Sequence, residues 1–159
     1  MTEQHLRTLE REATAYHEAG HAVMALSLGR PVHRVSIVAR QNWLGLCEFR
    51  KGVQRPSDDW LETELLIALA GMVAEAIHTG RPDELGAARD LRHARKLMLA
   101  RTTERSLPRY EQRMVNKADC HLRDDATWRA VEAIAQALLD SATLSGRAAM
   151  HLYTAAQRG

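Results

Sequence analysis

Residues 15–23 read AYHEAGHAV, and this stretch decides how the rest of the chain is interpreted. It contains HEAGH at positions 17–21, which is an HExxH motif. The pattern around the motif, over 11–28, is helical, because small and apolar residues recur at helical spacing. Residues four apart lie one turn above each other on the same helix face. His17 and His21 are therefore predicted to point the same way.

Two imidazoles arranged like His17 and His21 can bind one Zn²⁺ through neutral nitrogens. Glu18 lies beside them, where it can take a proton from a water at the metal. The alternative interpretation is an amphipathic helix with two histidines on a polar face. The position of the motif in the middle of a helix, flanked by Tyr16 and Val23, favours the metal site.

A catalytic zinc needs a third protein ligand and an open position for water. The long metzincin pattern requires a glycine and another histidine, but Met24 and Ser27 occupy those positions. A thermolysin-like site would use a glutamate on a following helix, whereas the first downstream carboxylate, Glu48, lies in a predicted strand. Spacing alone does not choose among the other acidic candidates before residue 100, which are Asp58, Asp59, Glu62, Glu64, Glu75, Asp83, Glu84 and Asp90.

The elements predict a mainly α fold of the α+β type, with a small β-hairpin or sheet beside the HExxH helix. Gly-Arg-Pro at 29–31 ends the first helix, and strands are predicted at 32–39 and 43–49 around a turn at 41–42. Gly45 in the second strand indicates a bulge or a close backbone approach. The remaining helices are predicted from a cap at Ser57 or Asp58 to a stop at Gly80, and over 87–103, 109–140 with a break near Asp119, and 146–157.

The composition, 45% apolar and 26% charged over 159 residues, indicates one soluble globular domain. Residues 1–10 either fray or extend the first helix, so the domain is predicted at 11–159. No apolar stretch predicts a membrane span or a signal peptide. Two cysteines, Cys47 and Cys120, cannot form a disulfide framework and favour the cytoplasm. The net charge of +2 is too small to predict a nucleic-acid partner.

Five segments resemble one known family in the same order along the chain. They are AYHEAGHAV at 15–23, VHRVSIV at 32–38, WLG at 43–45, LAGMVAE at 69–75 and GAARDL at 86–91. The family is the FtsH peptidases, the peptidase domains of membrane-bound, ATP-dependent zinc metalloproteases. The order of the segments carries the resemblance, since no later segment is decisive alone.

The resemblance implies a role for several further residues. Asp90 corresponds to the family's third zinc ligand, and Glu75 to a glutamate that holds a histidine from behind. Glu75 as the ligand itself is the alternative. The strand around Leu44, Gly45 and Leu46 resembles the family's substrate-side strand, to which an extended peptide could add as another strand.

Motif and resemblance together predict a zinc-dependent endopeptidase that cuts peptides or unfolded polypeptides, with Zn²⁺ as cofactor and Glu18 as base. The chain departs from the family because it has no GxxxxGK[ST] phosphate loop and no membrane segment, so ATP-dependent degradation is not carried over. The alternative is a weak or inactive FtsH-like domain that serves as a protein-binding or oligomerisation module. The expected partners are the substrate and either further copies of the chain or a separate ATPase.

The other charged features are interpreted as structural. His78 lies near a predicted helix end, where a cation suits the helix dipole. A basic run over 89–113 is interpreted as a solvated helix face, with an acidic partner as the alternative. Four more histidines lack any paired spacing, and they are His33, His93, His121 and His151.

Overall fold

The computed structural model describes residues 1–40, 45–49, 59–81 and 84–159. Its elements within those ranges, in chain order, are α1 (Glu3–Ser27), β1 (Val32–Ser36), β2 (Leu46–Phe49), α2 (Trp60–Thr79), α3 (Glu84–Met98), α4 (Leu107–Leu122), α5 (Asp125–Ser141), β3 (Thr143–Ser145) and α6 (Gly146–Arg158). The mainly helical fold with a small sheet is thereby confirmed. The predicted turn at 41–42 and the predicted caps Ser57 and Asp58 lie outside the described residues.

Helix α1 begins earlier than the motif requires, because Thr2 caps it. The Thr2 side chain accepts a hydrogen bond from the backbone N–H of His5, which satisfies one of the free donors of the first turn. Residues 3–10 therefore extend the first helix. The predicted stops are confirmed, since Gly29 and Gly80 adopt left-handed φ angles of 78° and 72° at the ends of α1 and α2.

The pairing of α1 with α2 forms the centre of the core. Gly20 lets the two helices approach closely, because a Cβ there would lie 2.5 Å from the Cβ of Ala74 and 2.6 Å from the carbonyl oxygen of Ala70. Fully buried alanines on α1, including Ala15 and Ala19, belong to the same core. This close contact holds the HExxH motif against α2. No helix in the described ranges is long and apolar enough to cross a bilayer.

The sheet is antiparallel, and its strand order is β2-β1-β3. Val35 at its centre is fully buried and pairs with Cys47 of β2 and Leu144 of β3. Both predicted strands are too long, since β1 stops at Ser36 and Gly45 precedes β2 rather than lying inside it. The third strand is not apparent from the sequence, because three residues are too few to show an alternating pattern.

The boundaries of α2 and α3 differ from the prediction. Asp59 caps α2 by accepting from the backbone N–H of Glu62, and it also pairs with Arg101 at 2.5 Å. The prediction of Ser57 or Asp58 as the cap is therefore wrong. Helix α3 begins and ends earlier than the predicted 87–103, and part of the basic run folds as the connection that follows it.

The break between α4 and α5 falls after Leu122 rather than near Asp119. Asp119 lies inside α4, where its carboxylate accepts from Arg123 four residues later at 2.9 Å. Asp124 is the residue that starts the next helix, since its side chain accepts from the backbone N–H of Thr127. Aspartate serves both as a cap and as a surface ion-pair partner, so the sequence pattern did not separate the two roles.

Candidate metal centre

Three side chains from two elements converge beside the α1–α2 contact. The Nε2 atoms of His17 and His21, both on α1, lie 2.8 Å and 3.1 Å from Oδ2 of Asp90 on α3. One ligand atom from each of the three residues lies within 4.8 Å of the others. Two imidazole nitrogens and one carboxylate oxygen are a donor set that suits Zn²⁺. The residues present therefore fit the metal that the motif predicts.

Each imidazole is held from behind by a hydrogen bond on its other nitrogen. Nδ1 of His17 lies 2.8 Å from Oε2 of Glu75, and Nδ1 of His21 donates to the carbonyl oxygen of Ile67 at 2.7 Å. A carbonyl oxygen only accepts, so the proton of His21 belongs on Nδ1. These bonds orient both rings with Nε2 towards Asp90, as metal-ligating histidines are commonly held.

A glycine of α2 makes room for the two rings. A Cβ on Gly71 would lie 2.7 Å from Nε2 of His17 and would overlap Nε2 of His21. Glycine in the interior of a helix costs stability relative to alanine, about 0.5–1 kcal/mol. The close contact with the imidazoles gives this glycine a physical reason, since any side chain would displace the ligand nitrogens.

Glu18 lies on α1 next to the three converging groups, and it is buried, with 7% of the residue exposed. The backbone at Gly45 passes directly over it. A Cβ on Gly45 would lie 2.7 Å from Cγ and 2.8 Å from Oε1 of Glu18. The close backbone approach predicted at Gly45 is therefore confirmed. The backbone at Gly45, just before β2, forms one wall around the Glu18 carboxyl group.

Comparison with known proteins shows the family of the chain. Residues 4–105, more than half of the chain, match the profile of Peptidase family M41. The chain belongs to peptidase family M41. The FtsH resemblance of the five segments is thereby confirmed, and the matched region contains the HExxH helix, Glu75 and Asp90.

Curated M41 relatives carry the name "ATP-dependent zinc metalloprotease FtsH". The protein from Pseudomonas putida is 41% identical over an alignment of 108 residues, which covers 58% of this chain and 16% of the relative. That from Magnetococcus marinus is 39% identical over 103 residues, covering 56% of this chain and 14% of the relative. FtsH 4 of Sorangium cellulosum is 38% identical over 100 residues, which cover 60% of this chain and 15% of the relative. The matched part of this M41 chain thus spans about a sixth of each relative.

The electrostatics of the candidate metal centre favour a bound cation. Burial lowers the pKa of His17, but its hydrogen bonds with Asp90 and Glu75 outweigh burial and raise that pKa to about 10. Burial raises the pKa of Asp90, yet the two histidines outweigh it and hold the pKa well below its usual range. Burial raises the pKa of Glu18. Three acidic groups thus surround two imidazoles, an arrangement that a divalent cation would neutralise.

The structure describes only part of the predicted substrate-side strand. Leu44 lies outside the described residues, Gly45 immediately precedes β2, and Leu46 is the first residue of β2. Sequence reasoning missed the Ile67 carbonyl that orients His21, because a backbone carbonyl has no sequence signal. It also missed Gly71, although a glycine inside a predicted helix was an available signal.

Proposed function

We propose that this M41 chain is a zinc-dependent endopeptidase in which His17, His21 and Asp90 hold Zn²⁺. The convergence of their three ligand atoms within 4.8 Å is the observation that carries the proposal. Three protein ligands leave one zinc position open for water, whereas structural zinc sites use four protein ligands. The donor set therefore supports a catalytic rather than a structural zinc. Glu75 is proposed to orient His17, because it contacts Nδ1 and not the converging Nε2 atoms.

Zinc held there would polarise the scissile carbonyl and make a nearby water more acidic. Glu18 accepts the proton of the attacking water and returns it to the leaving amine. Its burial raises its pKa, which makes the carboxylate a stronger base than an exposed glutamate. Glu75 and the Ile67 carbonyl keep the two imidazoles oriented while this proton moves.

We propose that substrate binds as an extended peptide along β2. This strand lies at the edge of the sheet, and no other strand in the described ranges pairs with its outer side. Gly45, which precedes it, contacts Glu18, so a peptide paired with the start of β2 would pass close to the proposed base. Backbone pairing recognises peptides with little regard to sequence and excludes folded segments, which suits peptides and unfolded chains.

Replacement of the base tests this proposal. Glu18→Gln keeps the size of the side chain but removes the proton acceptor, so zinc-loaded protein should lose at least about a hundredfold in the rate of casein or peptide hydrolysis. The zinc content should remain that of the wild type. Glu132→Gln, at an exposed position of α5, is the matched control and should leave the rate unchanged. Wild-type rates in Glu18→Gln would overturn the proposal.

The relatives are named ATP-dependent enzymes, and this chain spans about a sixth of their length. We propose that the partners are the peptide or unfolded-protein substrate and either further copies of the chain or a separate ATPase, because the relatives are named ATP-dependent. A protein that binds one zinc but cuts no peptide would support the alternative, a protein-binding or oligomerisation module. The cytoplasmic location stays a prediction that rests on the two cysteines, Cys47 and Cys120.

A further inference from the structure

A second cluster of side chains joins α1 to α2 next to the proposed zinc site. Nε2 of His78 lies 2.7 Å from Oε1 of Glu12. The ring of His78 stacks on that of Tyr16, with the ring centres 3.6 Å apart and the planes within 2° of parallel. Trp128 of α5 packs against the same Tyr16 ring, and the centres of the two rings lie 5.9 Å apart. We call Glu12, Tyr16 and His78 the aromatic clamp.

The aromatic clamp lies one helical turn from the bond that orients a proposed zinc ligand. Tyr16 is the chain neighbour of His17, and His78 lies one turn beyond Glu75 on α2, since residues three apart share a helix face. The contacts between the two antiparallel helices therefore run in order. Glu12 and Tyr16 contact His78, and His17 contacts Glu75. Further along α1, His21 contacts Ile67 in an earlier turn of α2.

The last turn of α2 contacts α1 through the aromatic clamp. Helix ends fray, and Gly80 terminates α2 only five residues after Glu75. Within the last turn, the Thr79 hydroxyl donates to the carbonyl oxygen of Glu75 at 2.8 Å, which is a contact inside α2. The contacts of His78 with Glu12 and Tyr16 tie that turn to α1. They lie one helical turn from the contact of Glu75 with Nδ1 of His17.

We propose that the aromatic clamp positions Glu75, and through it the imidazole of His17, for zinc binding. This inference rests on the proposed zinc site. His78 is thus a positioning residue and touches neither substrate nor metal. Partners that hydrogen-bond a ligating histidine typically change metal affinity by about 10–100-fold, so a residue one step further out should have a smaller effect.

Zinc affinity of the full chain, measured by chelator competition, tests the inference without relying on activity. His78→Ala should weaken zinc binding by about three- to tenfold, below the effect of removing a direct partner of a ligand. His78→Phe keeps a flat ring on Tyr16 and should restore most of the affinity. The same loss should not appear in His121→Ala. That variant removes a 2.8 Å bond between Ser27 of α1 and α4, so it should lower the melting temperature and leave zinc affinity unchanged.

A double-mutant cycle separates positioning from general destabilisation. In a Glu75→Ala background, His78→Ala should cause no further loss of zinc affinity, because the residue through which it acts is gone. If Glu75→Ala does not fold, Glu75→Gln serves in its place and should reduce the effect of His78→Ala. Additive losses, an unchanged affinity in His78→Ala, or an equal loss in His121→Ala would overturn the inference.

The outcomes distinguish this inference from the proposed function. Wild-type protein that binds zinc without cutting peptides overturns the peptidase proposal, while the affinity measurements still decide the role of the clamp. Active wild-type protein with unchanged zinc affinity in His78→Ala overturns the clamp alone. A wild-type chain that binds no zinc overturns both.

Discussion

Gly71 lies so close to His21 that a single added carbon would overlap Nε2 of the imidazole ring. The same carbon would also lie 2.7 Å from Nε2 of His17. Both atoms belong to the converging set with Asp90, so α2 shapes the site although it supplies none of these three groups. The absence of a side chain at one helix position is therefore part of the proposed metal centre.

Gly71→Ala should weaken zinc binding more than it weakens the fold. Alanine favours a helix, but its Cβ would push both imidazoles away from the ligand position. We expect at least about a tenfold loss of zinc affinity, as for other disturbances around ligating histidines. Met72→Leu, a volume-conserving change at the next residue, should bind zinc normally in the same chelator competition. Equal affinities in both variants would contradict the proposed fit.

Asp90→Ala should remove one of the three ligands and reduce zinc binding below one ion per chain after dialysis against metal-free buffer. The control is Asp140→Ala, since Asp140 is an exposed carboxylate on α5 whose contact is with Gln136. That variant should retain the metal. If Asp90→Ala keeps one zinc per chain at unchanged affinity, its assignment as a ligand is wrong. Glu75 would then become the candidate ligand.

Zinc affinity should rise with pH. The pKa of His17 is raised to about 10 by Asp90 and Glu75, so this imidazole is protonated at neutral pH and zinc must displace the proton. Each displaced proton should increase the affinity by about tenfold per pH unit between about pH 6 and pH 8. Chelator competition across that window measures the slope. An affinity that does not depend on pH would contradict this charge state.

Stability of the chelator-treated chain should change in the opposite direction. A pKa raised in the folded state from 6.5 to about 10 contributes stability that is full below about pH 6.5 and is lost as pH rises towards 10. Thermal unfolding in chelator should therefore give a melting temperature that falls over this window. His17→Gln removes the titrating imidazole, so its melting temperature should fall less over the same pH range than that of the wild type.

Backbone N-methylation of a peptide substrate tests binding along β2. A methyl group on an amide that pairs with the strand removes one hydrogen bond while it leaves every side chain unchanged. We expect kcat/KM to fall by about two- to tenfold at such an amide, the range of a single net hydrogen bond. Methylation at alternate amides, which point away from the strand, should have less effect. Equal rates for every position of the methyl group would contradict strand pairing.

The sequence predicted the local part of the site well and the long-range part poorly. Helical spacing placed His17 and His21 on one face, and Glu18 beside them, without any knowledge of the fold. Asp90 lies on another helix, so only its resemblance to a family motif singled it out among eight acidic candidates. The structure brings it within 3.1 Å of both imidazole nitrogens.

Contacts between residues far apart in the chain explain the other differences. His78 was interpreted as a helix-end residue, and it does lie in the last turn of α2. Its bond to Glu12, 66 positions earlier, follows from the α1–α2 packing and has no local signal. The strand β3 likewise pairs with β1, which lies far earlier in the chain, and this contact has no local signal.

The zinc content of the purified chain tests the central claim most directly. Elemental analysis of protein purified without chelator should give about one zinc per chain, because the three converging groups form one site. Protein with no zinc, and none regained after incubation with zinc at neutral pH, would contradict the account.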